Sequence, residues 1–291
     1  MKKILKNSKV KIAKKIIKAS APKRIEVRFP DWEVLSYKNT AIMKPILIEG
    51  MPGIGNVGKI CMDLLIEETS ADKIMSFFSY GLPNSVFVNE DNLVQLPQIV
   101  LYHKRIGGQD FLFLTGDVQP MTEKASYEFS ELIIDLFRQF KGKYIVTLGG
   151  IGLSEIPENP KIFLTGNDKL FVEKISKSFD KKKLKHEKKI YGHVGPILGV
   201  SGLLLGISSK HDVPAFSLLA ETFGHPIYVG LKGTKAILNI LNTYFSIGLK
   251  FEKLDKEIKH IDNQMKGISN GDAESGDSLK YKKFSDVNYI G

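Results

Sequence analysis

The chain has 291 residues, a hydrophobic share of 43% and one cysteine, so it is long enough to bury a core and cannot form an intramolecular disulfide. Its formal charge of +10 would ordinarily indicate an acidic partner such as nucleic acid. However, residues 1–24 hold ten Lys or Arg and no acid, and the rest of the chain has 32 residues of each sign. The rest is therefore neutral, which argues against nucleic-acid binding by a folded domain.

The basic segment at residues 1–24 lacks the layout of a secretory signal, and no apolar run reaches the ~18 residues that span a bilayer. A cytoplasmic protein without a membrane span is therefore expected. The segment could form a weakly amphipathic helix on an anionic surface, and a solvated tail is the simpler interpretation. Residues 267–291 have few apolar side chains and predict a second, flexible tail.

Between the tails, short apolar runs alternate with amphipathic stretches, which predicts a mainly parallel sheet covered by helices. The expected architecture is one three-layer αβα sandwich over residues 25–266. Helices are predicted at residues 57–67 and 125–140, where apolar residues recur with the 3.6-residue period. The predicted strands span residues 46–49, 74–78, 99–103, 111–115, 144–148, 162–165 and 215–219.

A C-terminal helix is predicted over residues 251–266, because apolar residues recur there at alternating spacings of three and four. They are Phe251, Leu254, Ile258, Ile261 and Met265. A seam of about two heptads is too short to hold a coiled coil alone. Two interpretations stay open: a helix packed against its own domain, and a contact with another subunit or partner.

The glycine-rich turn at residues 50–58 is the most distinctive local motif. Gly53, Gly55 and Gly58 match G-x-G-x-x-G between a predicted strand and a predicted helix, which is the context of the dinucleotide fingerprint. Backbone amides at that helix start could hold an anion. A Rossmann site also needs an acid about 20 residues on, after the second strand, and residues 77–80 contain none. The dinucleotide interpretation therefore lacks its ribose ligand.

The same turn nearly matches a P-loop. Gly53, Gly58 and Lys59 have the required spacing, but Ile60 stands where a Ser or Thr must coordinate magnesium. ATP hydrolysis is therefore not expected, and no metal or cofactor is predicted. The alternative is structural, because glycines allow close passage of backbone at a tight corner between strand and helix.

A second glycine cluster follows the predicted strand at residues 144–148 and should lie at the same edge of the sheet, where open α/β sheets bind ligands. The candidate anion or ligand edge consists of Gly53, Gly55, Asn56, Gly58, Gly150, Gly152 and Glu221. Other polar residues could face the same crevice: Glu155, Glu158, Asn159, Asn167 and Thr222. Acid–base chemistry would require two of these carboxylates to lie close together, and solvated loop charges explain the same residues.

Other catalytic patterns are missing from the sequence. The six histidines form no i, i+4 pair and have no cysteine neighbour, so no zinc site is predicted. Cys61 falls in the apolar pattern of the first helix and is expected to be buried. Ser201 lacks the G-x-S-x-G elbow because Leu203 replaces the second glycine. The chain is therefore predicted not to be an enzyme. The alternative is an enzyme or sensor that binds a small nucleoside-like or anionic ligand at the glycine-rich edge.

Four segments together resemble the archaeal branch of the proteasome assembly chaperone family, the PAC2 family. They are LIEGMPGIGNVG (47–58), EDNLV (90–94), TLGGIG (147–152) and GVSGLLLG (199–206), in the order and spacing of that family. The resemblance extends from about residue 24 to residue 265. It implies a phosphorylase-like αβα fold that forms a homo-oligomer, a trimer or tetramer, and helps proteasome subunits assemble without ATP.

Both tails lie outside this resemblance. Proteasome-docking tails end in a hydrophobic residue, a tyrosine and any residue, whereas Tyr289 is followed by Ile290 and Gly291. Docking by a terminal carboxylate needs the correct register. The tail is therefore expected to be at most a weak anchor.

Overall fold

The computed structural model describes residues 22–38, 40–192 and 195–269, with side chains up to residue 260. Its strands are β1 Lys23–Ile25, β2 Glu33–Ser36, β3 Ile46–Glu49, β4 Asp72–Phe78, β5 Phe87–Val88, β6 Val94–Gln95, β7 Ile99–Ile106, β8 Gln109–Gly116, β9 Tyr144–Leu153, β10 Ile162–Gly166 and β11 Ala215–Phe223. Its helices are α1 Val57–Thr69, α2 Glu123–Gln139, α3 Lys169–Lys181, α4 Gly199–Lys210, α5 Leu231–Phe245 and α6 Glu252–Ser269.

Nine strands form one sheet in the order β1-β2-β4-β7-β8-β3-β9-β11-β10. The four strands β8, β3, β9 and β11 at its centre are mutually parallel, and the pairs on both sides are antiparallel. The predicted α/β class is therefore confirmed, with a mixed sheet whose parallel part is its centre. The sequence predicted a mainly parallel sheet, and the antiparallel pair of β7 and β8 differs from it because of the turn Gly107–Gly108. Both glycines have positive φ and join the two strands as a hairpin, which only antiparallel strands allow.

Helices cover both faces of the sheet, so alternate residues of each central strand enter different cores. Leu47 points toward α2 and α4, where Phe129 and Leu204 are buried beside it. Ile46 and Ile48 point the other way, into the core that α1, α3, α5 and the start of α6 share. The three-layer sandwich follows from this two-sided burial.

The predicted elements form, with shifts at their ends. Each of the seven predicted strands is present, most of them longer than expected, while β1, β2, β5 and β6 were not predicted. Helix α6 runs to Ser269, three residues beyond its predicted end. Leu254 on α6 is buried and Ile258 packs beside it, so the described half of the heptad seam contacts its own domain. Residues 1–21 and 270–291 of the predicted tails lie outside the described residues.

Candidate functional site

The glycine turn (residues 50–58) leaves β3 and is packed against the neighbouring backbone. A Cβ atom on Gly58 would lie 2.4 Å from the carbonyl oxygen of Leu148 on β9. A Cβ atom on Gly50 would lie 2.3 Å from the carbonyl oxygen of Gly58. Real Cβ atoms do not approach backbone oxygens so closely, so these positions need glycine for close passage of strand and helix.

The middle of the turn is joined to β9 and β11. Gly55 has φ +61°, and its carbonyl oxygen accepts a hydrogen bond of 2.8 Å from the Gly230 amide. A Cβ atom on Gly150 would lie 2.3 Å from the carbonyl oxygen of Ile54. The hydroxyl of Thr222 is buried beside Gly55 and Gly230 and has no hydrogen-bond partner among the described residues. Gly55, Gly150 and Thr222 are therefore brought together as a tight corner.

Two polar residues predicted at this edge, Glu221 and Asn167, do not face the glycine turn. Glu221 lies one residue before Thr222 on β11, so its side chain is on the opposite face, where Oε2 accepts from the Lys161 amide at 2.9 Å. Asn167 lies at the opposite end of the sheet and bonds the backbone of Val213 and Ala215. The structure therefore separates both from the crevice that the sequence predicted for them.

The remaining polar candidates lie in solvent or bond to backbone. Glu155, Glu158 and Asn159 are exposed in the segment after β9. Asn56 has a left-handed conformation at the start of α1, and its side chain forms no capping bond there. Asp117 accepts a hydrogen bond of 3.0 Å from the Gln98 amide. Glu155 and Glu158 are thus solvated loop charges, which is the simpler of the two interpretations of these residues.

Glu49, at the end of β3, is a buried acid that sequence reasoning missed. Its side chain is fully buried under α4, where Oε1 accepts a 3.0 Å hydrogen bond from the Ser201 hydroxyl. Burial raises the pKa of Glu49 to about 8, against the opposing effect of the Ser201 hydrogen bond. Because Glu49 is protonated at neutral pH and shielded from solvent, it is unsuited to act as a base on an external substrate. The sequence signal that could have identified Glu49 as a buried acid was its position directly between an apolar strand and a glycine turn.

Cys61 has the buried position that the sequence predicted. It is inaccessible in α1, and burial raises the pKa of its thiol well above the ordinary range. A thiol that stays protonated is a poor nucleophile. Among the described residues, no group of three or more His, Cys, Asp or Glu is placed to hold a metal ion. Nor does any helix within residues 22–269, as far as described, combine the length and apolar character needed to cross a bilayer.

The edge of the sheet at which β3, β8, β9 and β11 end, here called the carboxyl edge, exposes an unusual amount of apolar surface. Its connecting segments are residues 50–56, 79–98, 117–122, 154–161, 195–198 and 224–230. Among the described residues, ten of the fourteen exposed large apolar side chains lie in these segments. They are Ile54, Tyr80, Val86, Val88, Leu93, Val94, Leu96, Met121, Leu198 and Ile227. Clustered apolar exposure of this kind marks interaction surfaces.

Five of the ten belong to the edge hairpin (residues 84–96), which contains β5 and β6. Asn89 orders its tip, because the side-chain oxygen accepts from the amides of Asp91 and Leu93 at 3.1 and 2.9 Å. Val88 and Leu93 are 64% and 62% exposed on this ordered support. The hairpin therefore presents apolar side chains to solvent in a fixed arrangement.

The charges at the carboxyl edge are mostly negative. Its segments contain five acids and, counting Lys and Arg, one basic residue, Lys161. The acids are Glu90, Asp91, Asp117, Glu155 and Glu158, all exposed. Gln119 ties two of the segments together, since its Nε2 donates to the Pro52 carbonyl at 2.6 Å and its Oε1 accepts from the Val200 amide at 2.9 Å. The edge is thus a connected surface that is apolar and carries more acids than bases.

The chain matches one protein-family model, described as the PAC2 family, over residues 47–269. An uncharacterized protein of Methanocaldococcus jannaschii is 26% identical over 248 residues, covering 84% of this chain and 92% of the relative.

Two solved structures from Pyrococcus furiosus share the fold. PbaB, described as an archaeal proteasome activator, is 25% identical with a TM-score of 0.77, covering 83% of this chain and 100% of that chain. PbaA, described as an archaeal homolog of proteasome-assembly chaperone, is 22% identical with a TM-score of 0.63, covering 82% of this chain and 96% of that chain. The likeness to PbaA concerns the fold alone.

Proposed function

Because the chain belongs to the PAC2 family, we propose that it assists the proteasome by binding proteasome subunits through the carboxyl edge of its sheet. The observation that carries the proposal is the concentration of exposed apolar side chains at that edge. A protein that shields other subunits before assembly needs such a surface, since the buried core of an interface is more apolar than the rest of a protein surface. The description of PbaB as an archaeal proteasome activator supports the same direction.

We further propose that this binding needs no ATP. Ile60 is buried in α1 at the position where a P-loop requires a hydroxyl. Gly50 and Gly58 are in close backbone contact, which leaves little room for a phosphate between them. Adding ATP and magnesium is expected to leave subunit binding unchanged.

We also propose that the chain acts in the cytoplasm as a homo-oligomer, a trimer or tetramer. Closed symmetric assemblies are the common form of soluble oligomers. Light scattering coupled to gel filtration measures the state directly. A single species at the mass of the monomer, 32.6 kDa, over the accessible concentration range would contradict the oligomer.

The experiment that tests the function mixes the purified full chain with the separate proteasome α and β subunits of the same organism. The expected result is capture of α subunits and a faster appearance of assembled particles. An edge variant, Val88→Ser with Leu93→Ser, is expected to weaken capture about tenfold, as loss of central apolar anchors does. The control, Met43→Ser with Leu170→Ser, removes comparably exposed apolar side chains away from the edge. Absence of capture and of any rate change would refute the proposal.

The C-terminal tail provides an internal comparison, because residues 285–291 carry the near match to a proteasome-docking tail. Deleting them is expected to leave capture by the edge largely intact. Loss of α-subunit capture on this deletion, with the edge variant still binding, would assign docking to the tail.

One observation favours the second candidate, a sensor or enzyme for a nucleoside-like or anionic ligand held near Gly53, Gly55, Asn56, Gly58, Gly150 and Gly152. The buried hydroxyl of Thr222 beside Gly55 has no described partner. A thermal-shift screen with nucleotides, nucleosides and phosphate tests it, since a ligand at 100 times its Kd stabilises by about 2.7 kcal/mol. A flat screen would dismiss this candidate.

A further inference from the structure

Two buried side-chain oxygens on neighbouring central strands have no hydrogen-bond partner among the described residues. They are Oε2 of Glu49, at the end of β3, and Oγ1 of Thr147 on β9. The two residues are paired in the parallel register of these strands, and both are fully buried. Because neighbouring strands lie about 4.8 Å apart, the two side chains stand next to each other on one face of the sheet.

That face is the one covered by α4. Leu47 and Ile145, each two residues before one of the pair, belong to the core beneath α2 and α4, and residues two apart on a strand share a face. Helix α4 adds a third polar group, since the Ser201 hydroxyl donates to Glu49 Oε1 at 3.0 Å. Glu49, Thr147 and Ser201, here called the polar cluster, thus lie together in an otherwise apolar layer.

The polar cluster has more donors than its own acceptors use. Burial raises the pKa of Glu49 to about 8, so at neutral pH the carboxyl carries a proton that needs an acceptor. The Thr147 hydroxyl also has a proton to donate, and the Ser201 oxygen can still accept one. Buried polar groups left without partners destabilise a fold, and native proteins satisfy them with enclosed water that makes two to four hydrogen bonds.

We propose that one water molecule is enclosed between β3, β9 and α4, where it accepts hydrogen bonds from Glu49 Oε2 and Thr147 Oγ1 and donates one to Ser201 Oγ. Three partners lie within the usual range for a buried water. The proposal goes beyond the proposed function and holds whichever partner the carboxyl edge binds, because it concerns contacts inside one chain.

The enclosed water joins the first turn of α4 to the centre of the sheet. Gln119 holds the same turn from the side of the glycine turn, since it bonds the Val200 amide and the Pro52 carbonyl. Residues 195–198 lead into this turn and carry Leu198, which is exposed at the carboxyl edge. The polar cluster and Gln119 together therefore hold this part of the edge in position.

A high-resolution crystal structure of the full chain tests the proposal. The expected result is a solvent peak within about 3.2 Å of Glu49 Oε2, Thr147 Oγ1 and Ser201 Oγ. No peak at this place, or a direct hydrogen bond between Glu49 and Thr147, would overturn the proposal. A peak at about 2.3–2.6 Å from these oxygens would also overturn it, because that is the distance of a calcium ion from its ligands.

A substitution of Thr147 gives a second readout in solution. Thr147→Val keeps the shape of the side chain and removes one partner of the water, so we expect Tm to fall by about 2–4 °C, the shift for one lost hydrogen bond in a chain of this size. Thr222→Val is the control, because it makes the same exchange at a buried hydroxyl that lies beside two glycines, Gly55 and Gly230. This control is expected to raise Tm. An unchanged or higher Tm in Thr147→Val would overturn the proposal, since the hydroxyl would then have no water to bind.

Discussion

The glycine turn and the edge hairpin both lie at the carboxyl edge of the sheet, yet one is packed into the fold and the other is exposed to solvent. In the turn, Gly58 leaves no room for a Cβ atom beside Leu148. In the hairpin, Val88 and Leu93 are more than half exposed although the tip is ordered by Asn89. The motif that is most conspicuous in the sequence therefore organises the backbone, while an inconspicuous loop presents the surface that can bind.

The glycine turn is expected to lose most stability on substitution of Gly58. We predict that Gly58→Ala lowers the free energy of unfolding by roughly 3 kcal/mol or more, because the new methyl group would lie 2.4 Å from a backbone oxygen that cannot move aside. Chemical denaturation measures this loss. Gly206→Ala is the control, since a Cβ atom on this helical glycine meets nothing within 4 Å and alanine there should stabilise by up to about 1 kcal/mol. A loss below about 1 kcal/mol for Gly58→Ala would mean that the corner is looser than described.

Glu49, beside the turn, gives an effect that depends on pH. Its pKa is raised from 4.5 to about 8 by burial, so the carboxyl contributes stability that is fully present below about pH 4.5 and lost as the pH rises through about 8. The slope from this group approaches about 1.4 kcal/mol per pH unit between these values. We predict that Glu49→Gln, which keeps an acceptor for Ser201, removes this slope and makes the variant the more stable protein at pH 9.

Denaturation curves measured from pH 5 to 9 for wild type and Glu49→Gln test this prediction. Glu155→Gln changes an exposed carboxyl and should leave the pH dependence unaltered. If wild type and Glu49→Gln lose stability in parallel, the pKa of Glu49 is not raised in the folded protein and the prediction is wrong.

A substitution of Thr222 tests whether the glycine turn has only a structural role or also holds a ligand. Its hydroxyl is buried without a described partner beside Gly55. Replacing an orphan buried hydroxyl by a methyl group of the same shape removes a desolvation cost, so we predict that Thr222→Val stabilises by about 1 kcal/mol. Thermal or chemical denaturation measures the change, and Thr222→Ser, which keeps the hydroxyl, serves as the reference. Destabilisation by valine would mean that a water molecule or ligand occupies the turn and would favour the ligand-binding candidate.

Most of the central fold could be predicted from the sequence because its signals are local. Apolar runs such as residues 46–49 and 111–115 can form buried strands, and the 3.6-residue period of α2 specifies its buried face. Strands β1 and β2 were missed because they are short, contain charged residues and gain their pairing from β4. The antiparallel pairing of β7 and β8 had an unused signal in Gly107–Gly108, a dipeptide typical of tight hairpins.

The site was harder to predict, since exposure and face depend on distant packing. Glu221 and Thr222 are adjacent on β11, and only the strand's orientation decides that Thr222 meets the turn while Glu221 bonds Lys161. The strands of the edge hairpin were not predicted, and composition alone does not distinguish the exposed apolar residues at 86–88 from a short buried strand. Their exposure follows from the position of the hairpin beyond the end of β4, which no local pattern encodes.

The edge hairpin is tested by the variant with the smallest expected effect on stability. Val88→Ser with Leu93→Ser removes apolar surface that already lies in water, so we predict a change in the free energy of unfolding within about 0.5 kcal/mol. The same variant is expected to lose binding of a protein partner, because the proposed function uses the hairpin. A large loss of stability would contradict this prediction. Analytical ultracentrifugation of wild type and variant then tests whether an oligomer buries the hairpin. An oligomer that falls apart in the variant would assign the hairpin to self-association, whereas an intact oligomer with lost partner binding would leave the hairpin as the recognition surface and the glycine turn as its support.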